Sequence, residues 1–365
     1  MKFTCERSVL LKEISIAREI IESKNAISIL SNIYLEAEND SLIIKATDMK
    51  VNFETRVPVT VLEPGPVTVF GDKFFDILNS VPEGEMEFDQ KENRVNIKTS
   101  VKRVKFQLKS IASDKFPEFS VSGAAYFDMA IKDFREMVNQ TVFAVSDDET
   151  RYFMNGVYLE KTGEDIIMVA TDGRRLAYIS KKIGSDIQDF AGIIVPPKIL
   201  NIITKRSGNE GLVSISVTDK TIYIRFGLYS FSSVLLEGQF PNYRKVIPEN
   251  QTSELSVNRL EMLEALGRVS KMVEQKSHRV YLKVIPGSMS VYSEEGEIGD
   301  AMEDIPCKYD GEEISMALNY RYIEEPFKAI GDEEITIRFT VPSKAITIIP
   351  VPEKDFFHIV MPMQS

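Results

Sequence analysis

Cysteine, histidine and long apolar runs are scarce in this chain, and each scarcity removes a class of protein. The 365 residues include two cysteines, Cys5 and Cys307. They offer no disulfide framework, so a reducing compartment is expected. There are two histidines, His278 and His358. Neither stands in a Cys, Ser or Asp arrangement that would make a nucleophile and its base, and both read as structural or surface residues. No run of roughly 18 apolar residues occurs, and charges in the opening MKFTCERSVLLKE interrupt the apolar core that a signal peptide needs. A soluble, cytoplasmic chain without membrane contact is expected. Neither G-x-x-x-x-G-K-[ST] nor G-x-G-x-x-G is present, and no zinc pattern is found. The sequence therefore calls for no cofactor and no metal, and an enzyme is the last reading. Basic excess is missing too: 44 Lys and Arg stand against 55 Asp and Glu, a formal net charge of −11. That balance argues against tight electrostatic wrapping of nucleic acid.

What the chain does have is length, apolar content and internal repetition. At 43% hydrophobic residues it can bury two or three cores, because single cores stop growing near ~250–300 residues. Phe3 is followed at fixed offsets by Leu10, Ile14, Ala17 and Ile21, the stripe of an amphipathic helix. The same offsets recur from Phe127 to Phe134, Val138, Thr141 and Val145, and from Leu255 to Met262, Leu266, Val269 and Val273. Tyr34-Leu35-Glu36, Ala46-Thr47-Asp48 and Phe116-Pro117 each recur 124 residues on, as Tyr158-Leu159-Glu160, Ala170-Thr171-Asp172 and Phe240-Pro241. A looser third copy carries Tyr281-Leu282-Lys283 and Met361-Pro362. Repetition of this kind fixes the architecture before any element is assigned.

Each unit is predicted to hold a second helix, at Asp72 to Val81, Pro197 to Lys205 and Asn319 to Ile330. Pro197 suits a first helical turn, where its missing N–H costs nothing. Val95 to Leu108, Val213 to Phe226 and Ile335 to Ile349 alternate with period two and read as strands. The unit is α+β, with helices on one face of antiparallel sheets. Three domains are expected, at 1–121, 122–249 and 250–365.

Two stretches carry candidate chemistry. In Val169 to Ser180, VATDGRRLAYIS, two apolar runs flank Asp172-Gly173, a dipeptide suited to a tight hairpin because glycine tolerates positive φ. Arg174 and Arg175 follow, giving two guanidinium forks on a rigid strand pair, a layout for gripping a peptide. The second feature is opposed charge. Lys102, Arg103, Lys105 and Lys109 interleave with Val104, Phe106 and Leu108 in the first unit, and SEEGEIGDAMED fills Ser293 to Asp304 in the third. The acidic run lacks the D-x-[DN]-x-[DN]-G order of a calcium loop. Both segments read as edge strands, which either deter aggregation or pair two chains head to tail into a ring.

The threefold repeat, the opening MKFT, Arg151-Tyr152 with Asn155-Gly156, A-T-D-G-R-R-L, Phe240-Pro241-Asn242-Tyr243-Arg244 and the closing V-M-P-M together resemble the bacterial DNA sliding clamp, the β subunit of DNA polymerase III. The resemblance spans the whole chain in order. It implies a non-catalytic processivity factor: three similar clamp domains per chain, and two chains head to tail in a closed ring around duplex DNA. Such a ring binds topologically, which reconciles a DNA role with a net charge of −11. The helix faces opposite the apolar stripes carry no convincing basic lining: Lys12, Ser15 and Glu19, then Glu136, Asn139 and Phe143, then Glu264, Gly267 and Lys271.

By resemblance, Lys24, Tyr152, Phe153 and Lys198 fall near DNA, although the Asp147-Asp148 pair departs from the polar or basic residues expected nearby. A peptide pocket for the polymerase catalytic subunit and the clamp loader is implied at Met154, Thr171, Gly173, Arg174, Arg175, Leu176, Pro241, Lys245, Val246, Asn319, Tyr322, Ile346, Val360, Met361, Pro362 and Met363. In it Leu176, Val246, Ile346, Val360 and the two methionines would supply apolar walls, while Arg175 and the backbone near Gly173 would hold polar groups. Departures from the family pattern are Arg174 for histidine, Met154 for leucine, Lys245 for arginine and Gln364-Ser365 for an Arg-Leu ending. The implied homodimer interface sets Phe106, Lys73, Arg103 and Lys105 against Met272, Val273, Glu294, Glu295, Glu297 and Glu303. An apolar centre rimmed by opposite charges makes dimer opening easier at high salt. The competing reading is a peptide-presenting adaptor through which no duplex passes.

Overall fold

A computed structural model describes residues 1–21, 29–184, 187, 190–297 and 299–364. The three predicted stripes become helices in corresponding places. The first repeat runs β1 (Lys2–Glu6), α1 (Arg7–Ile20), β2 (Asn32–Glu38), β3 (Ser41–Thr47), β4 (Val51–Pro58), β5 (Thr60–Glu63), β6 (Gly65–Phe70), α2 (Gly71–Ser80), β7 (Glu85–Lys91), β8 (Arg94–Thr99) and β9 (Lys105–Ile111). The second runs β10 (Phe127–Ala130), α3 (Ile131–Thr141), β11 (Val157–Thr162), β12 (Asp165–Thr171), β13 (Arg175–Lys182), β14 (Phe190–Val195), α4 (Pro197–Arg206), β15 (Leu212–Val217), β16 (Thr221–Phe226) and β17 (Tyr229–Val234). The third runs β18 (Ser253–Asn258), α5 (Arg259–Val269), β19 (Arg279–Ile285), β20 (Ser288–Tyr292), β21 (Met302–Lys308), β22 (Ile314–Asn319), α6 (Tyr320–Ala329), β23 (Glu334–Phe339), β24 (Ile346–Val351) and β25 (Phe356–Val360). The order is strand, helix, strands, helix, strands each time, and the first repeat adds β5.

The shared stripe explains the shared fold. Leu10, Ile14 and Ala17, and likewise Met262, Leu266 and Val269, are almost wholly buried, so each helix lies on its sheet by a single apolar face. Arg7 and Arg259 open their helices and tie them to the second helix of the same repeat. Arg7 Nε donates to the Leu78 carbonyl at 2.7 Å, and Arg259 Nη1 donates to the Phe327 carbonyl at 3.4 Å. The last member of each stripe lies past its helix: α1 stops at Ile20 before Ile21, α3 at Thr141 before Val145, and α5 at Val269 before Val273.

In space the chain forms two compact units. One comprises Met1–Phe134 and Lys198–Leu235, the other Arg135–Pro197 and Leu236–Ser365, so the middle repeat contributes to both. The first unit holds a 13-stranded sheet ordered β10-β15-β16-β17-β4-β3-β2-β6-β9-β8-β7-β1-β5. The second holds a 12-stranded sheet ordered β14-β11-β12-β13-β25-β24-β23-β18-β21-β20-β19-β22. Among the described residues the strand pairs are antiparallel, and backbone ladders cross from repeat to repeat at β17–β4 and at β13–β25.

Three local expectations are corrected. Each long alternating segment is two strands: Val95 to Leu108 divides into β8 and β9 around the loop at 100–104, where consecutive residues carry the chain away from the ladder. The acidic run is a strand only from Met302 onward, and Ser293 N donates to the Ala301 carbonyl at 2.9 Å just before it. The Asp172-Gly173 turn is a four-residue connection, with Thr171 opposite Leu176. Its carboxylate does the folding: Asp172 Oδ1 accepts from the amides of Arg174 at 2.8 Å and Arg175 at 3.1 Å, and Gly173 sits at φ +88°. The first repeat copies the device with Asp48, whose Oδ1 accepts from the Lys50 and Val51 amides, but Met49 takes the positive φ there.

Candidate functional site

The β12–β13 turn, the end of β25, the residues after it, and the β22–α6 junction meet in the second unit. Met361 N donates to the Arg174 carbonyl at 2.9 Å, and Met363 N donates to the Ala317 carbonyl at 2.8 Å. The C-terminal residues are thereby stitched between β13 and β22. A cavity of about 370 Å³ opens beside them, lined by Arg174, Arg279, Asn319, Tyr322, Met361, Pro362, Met363 and Gln364. Six of these were expected from the sequence, drawn from three separate stretches. Asn319 is fixed in place because its side-chain oxygen caps α6, accepting from Arg321 N at 3.0 Å.

Other predicted pocket members take different places. Leu176, Ile346 and Val360 are 3%, 1% and 0% exposed, so they are core residues here and present no wall to solvent. Leu176 packs with Ile167, Val169, Ile194, Phe240, Tyr243 and Ile359. Met154 and Thr171 are also buried, and the Thr171 hydroxyl donates to the Arg175 carbonyl at 2.5 Å. Val246 and Met361 stay exposed, Lys245 is exposed beside Val246, and Pro241 is half-buried.

The two arginines of the turn have opposite fates. Arg175 is internally engaged: Nε pairs with Asp172 Oδ2 at 3.0 Å, Nη2 donates to the Phe143 carbonyl at 2.6 Å, and Nη1 pairs with Glu325. Its guanidinium also lies over the Tyr322 ring at 4.6 Å. With its side chain only 10% exposed, Arg175 is a clamp within the chain and not a free peptide-gripping fork. Arg174 is the exposed one. Burial and the nearby Asp172 push the Tyr322 hydroxyl's pKa up, so it stays a neutral donor.

Arg279 was missed in the sequence. It lies opposite Asn319 on β19, donates from Nη2 to the Gln364 carbonyl at 3.1 Å, and keeps a buried Nε without a hydrogen-bond partner. Its place follows from the β19–β22 pairing, the counterpart of β2 with β6 in the first repeat, and no local sequence pattern announces it.

Of the residues expected near DNA, Lys24 lies outside the described residues. Tyr152 is 53% exposed and meets the Phe153 ring edge-on at 5.8 Å. Lys198 is not a free cation, since its Nζ pairs with Asp48 Oδ2 at 2.5 Å and donates to the Ile20 carbonyl at 2.9 Å. The departing Asp148 proves structural: it accepts from Thr150 N at 3.0 Å and holds Arg151 Nε at 2.9 Å. Arg151 in turn donates to the Asp172 carbonyl at 3.1 Å, bracing the turn.

The expected interface residues fall into two groups. A hollow of about 730 Å³ in the second unit is lined by Met272, Val273, Glu294, Glu295 and Glu297, among others. Glu303 differs, because Arg268 of the same chain grips it through two bonds of 2.7 and 2.6 Å. That contact lowers the Glu303 pKa. In the first unit Arg103 and Lys105 are exposed, Phe106 is half-buried, and Lys73 pairs with Asp76 at 3.6 Å. His358 is buried, with Nε2 3.0 Å from Gln140 Oε1, and burial pulls its pKa down to about 3. Both cysteines are free and buried. Among the described residues no group of His, Cys, Asp and Glu could hold a metal ion, and no helix is long and apolar enough to cross a membrane.

Three family models match in sequence order: the N-terminal domain of the DNA polymerase III β subunit over residues 1–120, its central domain over 128–242 and its C-terminal domain over 244–364. The chain belongs to the DNA polymerase III β-subunit family of sliding clamps. The β sliding clamp of Treponema pallidum is 47% identical over 370 residues, covering all of both chains. The Pseudomonas aeruginosa clamp solved with griselimycin bound superposes with a TM-score of 0.94 at 27% identity, covering 100% of each chain. The Bacillus subtilis clamp gives 0.93 at 25% identity, covering 100% of this chain and 99% of that one. The chain is accordingly a non-catalytic processivity subunit of DNA polymerase III, and the enzyme reading is closed.

Proposed function

We propose that two copies close head to tail into a ring around duplex DNA, by a backbone ladder between β9 of one copy and β21 of the other. The observation that carries this is the strand order. At both junctions inside the chain, the edge strand of one repeat pairs with the last strand of the next: β4 with β17, and β13 with β25. The strand corresponding to β4 and β13 in the third repeat is β21, and the one corresponding to β17 and β25 in the first is β9. Within the chain, β9 pairs with β6 only at Ser110 and Ile111, and β21 pairs with β18 only at Cys307 and Lys308. The remaining lengths of both edges are open, and an open edge invites pairing.

The repeats supply the register as well. Phe231 lies opposite Phe53, and His358 opposite Ala177. Phe106 corresponds to Phe231 and His358, since each faces an isoleucine of the preceding strand, Ile97, Ile224 and Ile348. Ala301 corresponds to Phe53 and Ala177. Phe106 therefore meets Ala301 of the partner subunit, and Lys105 meets the partner's Met302. Around this ladder Phe106 reaches the hollow formed by Met272 and Val273, with Lys73, Arg103 and Lys105 near Glu294, Glu295 and Glu297. Glu303 contributes through its pair with Arg268.

The clamp domains are 1–121, 122–249 and 250–365. The cavity beside Arg174 and Met361 takes linear motifs of the polymerase catalytic subunit and the clamp loader, with Met154, Thr171, Gly173, Arg175, Leu176, Pro241, Lys245, Val246, Ile346 and Val360 forming or supporting its surroundings. The adaptable methionines suit several partners. Duplex DNA passes through the ring beside Tyr152, Phe153, Lys24 and Lys198, held by topology, as the net charge of −11 requires. The compartment is the cytoplasm, in keeping with two free, buried thiols.

The test joins both parts. Paired Cα atoms in an antiparallel ladder are about 4.5–5.5 Å apart, within disulfide range. Lys105→Cys with Met302→Cys is expected to give a covalent dimer on oxidation. Loaded first on a nicked circular plasmid by the loader and ATP, then oxidised, it stays on the circle and slides off when the circle is cut. Absence of the crosslink overturns the register. Retention on linear DNA overturns topological binding, and failure to load despite an active loader favours the adaptor.

A further inference from the structure

We propose that the peptide cavity contains an anion subsite formed by Arg174 and Arg279, which selects clamp-binding peptides carrying a carboxylate next to their apolar anchor. This deepens the peptide-pocket reading and rests on it. Two guanidinium groups line the cavity of about 370 Å³, and no Asp or Glu is among the eight residues around it. Carboxylates lie outside it: Arg279 also borders the hollow that holds Glu274 and Glu294, with Glu294 accepting from the Tyr281 hydroxyl at 2.9 Å, while Glu325 pairs with Arg175. A cleft of one charge sign concentrates ligands of the other, and guanidinium is the side chain that binds a carboxylate through two parallel bonds.

The state of Arg279 points the same way. It is held at the cavity wall by the Tyr281 hydroxyl at 3.5 Å and the Gln364 carbonyl at 3.1 Å, both neutral groups, and its Nε is buried without a partner. A buried donor left empty is costly, and a charged acceptor there would satisfy it. Arg174 supplies the second fork. The Asp172 carboxylate is already occupied, accepting the Arg174 and Arg175 amides and Arg175 Nε, and the Arg174 guanidinium extends to solvent. Residues 361–364 lie between the two arginines, and Met361 N is bonded to the Arg174 carbonyl. A peptide seated along those residues passes both.

The probe is a fluorescein-labelled decapeptide with a central leucine, leucine, phenylalanine core. A single glutamate is walked through the flanking positions, with glutamine at the same positions as the uncharged control. Binding to the full-length clamp is read by anisotropy. At one position glutamate is expected to bind about tenfold tighter than glutamine, the size of one charge-assisted hydrogen bond. That preference should fall below about twofold in Arg174→Gln and in Arg279→Gln, and shrink in about 0.5 M NaCl. Arg279→Lys, which keeps the charge but loses the fork, should retain part of it.

Equal binding of glutamate and glutamine peptides at every position overturns the subsite while leaving the pocket intact, because the uncharged core peptide still binds. A preference that survives in either glutamine variant overturns the two-arginine assignment. If the core peptide itself does not bind, the pocket reading fails, and the subsite with it.

Discussion

Arg175→Ala should be among the most damaging single substitutions in the second unit, although the residue belongs to a surface turn. Alanine removes the bonds to Asp172 Oδ2 at 3.0 Å and the Phe143 carbonyl at 2.6 Å, the pair with Glu325, and the stacking on Tyr322 at 4.6 Å. Asp172 is left 13% exposed and the Phe143 carbonyl loses its donor, so two acceptors face partial burial without a cation. Breaking a buried pair from one side costs about 3–5 kcal/mol, but Glu325 is 36% exposed and rehydrates, which puts the loss near the low end, about 3 kcal/mol. For a unit of about 200 residues this is a drop of about 6–12 °C in Tm by differential scanning calorimetry. Arg174→Ala, one residue away but exposed, should move stability by no more than about 0.5 kcal/mol. A double-mutant cycle with Glu325→Gln should return a coupling of about 1 kcal/mol or more. If Arg175→Ala melts within about 1 °C of the unaltered chain, the clamp assigned to this arginine is wrong.

Burial raises the pKa of Glu13, which accepts from the Tyr229 hydroxyl at 3.1 Å. The folded chain then holds this proton more tightly than the unfolded one. Glu13's contribution is most favourable below the ordinary value of 4.5 and is lost as pH rises through the raised one. Glu13→Gln should therefore raise Tm near neutral pH and leave it unchanged in acid, seen as Tm against pH for the two chains. Gly156→Ala should cost about 1–3 kcal/mol in a urea melt, because its Cβ would sit 2.8 Å from the Val195 carbonyl and 2.7 Å from Ile194. Gly267→Ala, in α5 with nothing within 4 Å, should instead gain about 0.5–1 kcal/mol. Phe106→Ala should weaken the dimer in sedimentation equilibrium, and raising NaCl should speed dissociation of the unaltered dimer. A dimer indifferent to salt would remove the charged rim from the argument.

The fold was legible wherever one residue type had to recur. Phe3, Leu10, Ile14 and Ala17 form a packing pattern that suits a helix on a sheet, so three copies of it marked the first helix of each repeat, and the second helices fall within a residue of their expected bounds. Legibility stopped where partners lie far apart in sequence. That Arg175 is tied to Phe143 and Glu325, Arg268 to Glu303, and Lys198 to Asp48 is set by tertiary placement, and nothing local in those residues announces it. The same limit governs the pocket. Resemblance implies a pocket role for Leu176, Ile346 and Val360, but only packing reveals that they are core, whereas Met361 and Val246 meet solvent. Arg279 lies one cross-strand step from Asn319, a relation set by the β19–β22 pairing and by nothing local in the sequence.

The strand ladders at the repeat junctions also say where a hoop made of two such chains must part. At β4–β17 and β13–β25, five residue pairs on each side are backed by a continuous polypeptide, so separation there would unravel a domain. In the proposed ring the seam between chains has the ladder, the Phe106 contact and the charged rim, but no covalent backing. If the chains pair as proposed, a loader has no need to locate the opening point: pulled anywhere along its circumference, the hoop would yield first at the two seams and close again by the pairing already rehearsed inside each chain.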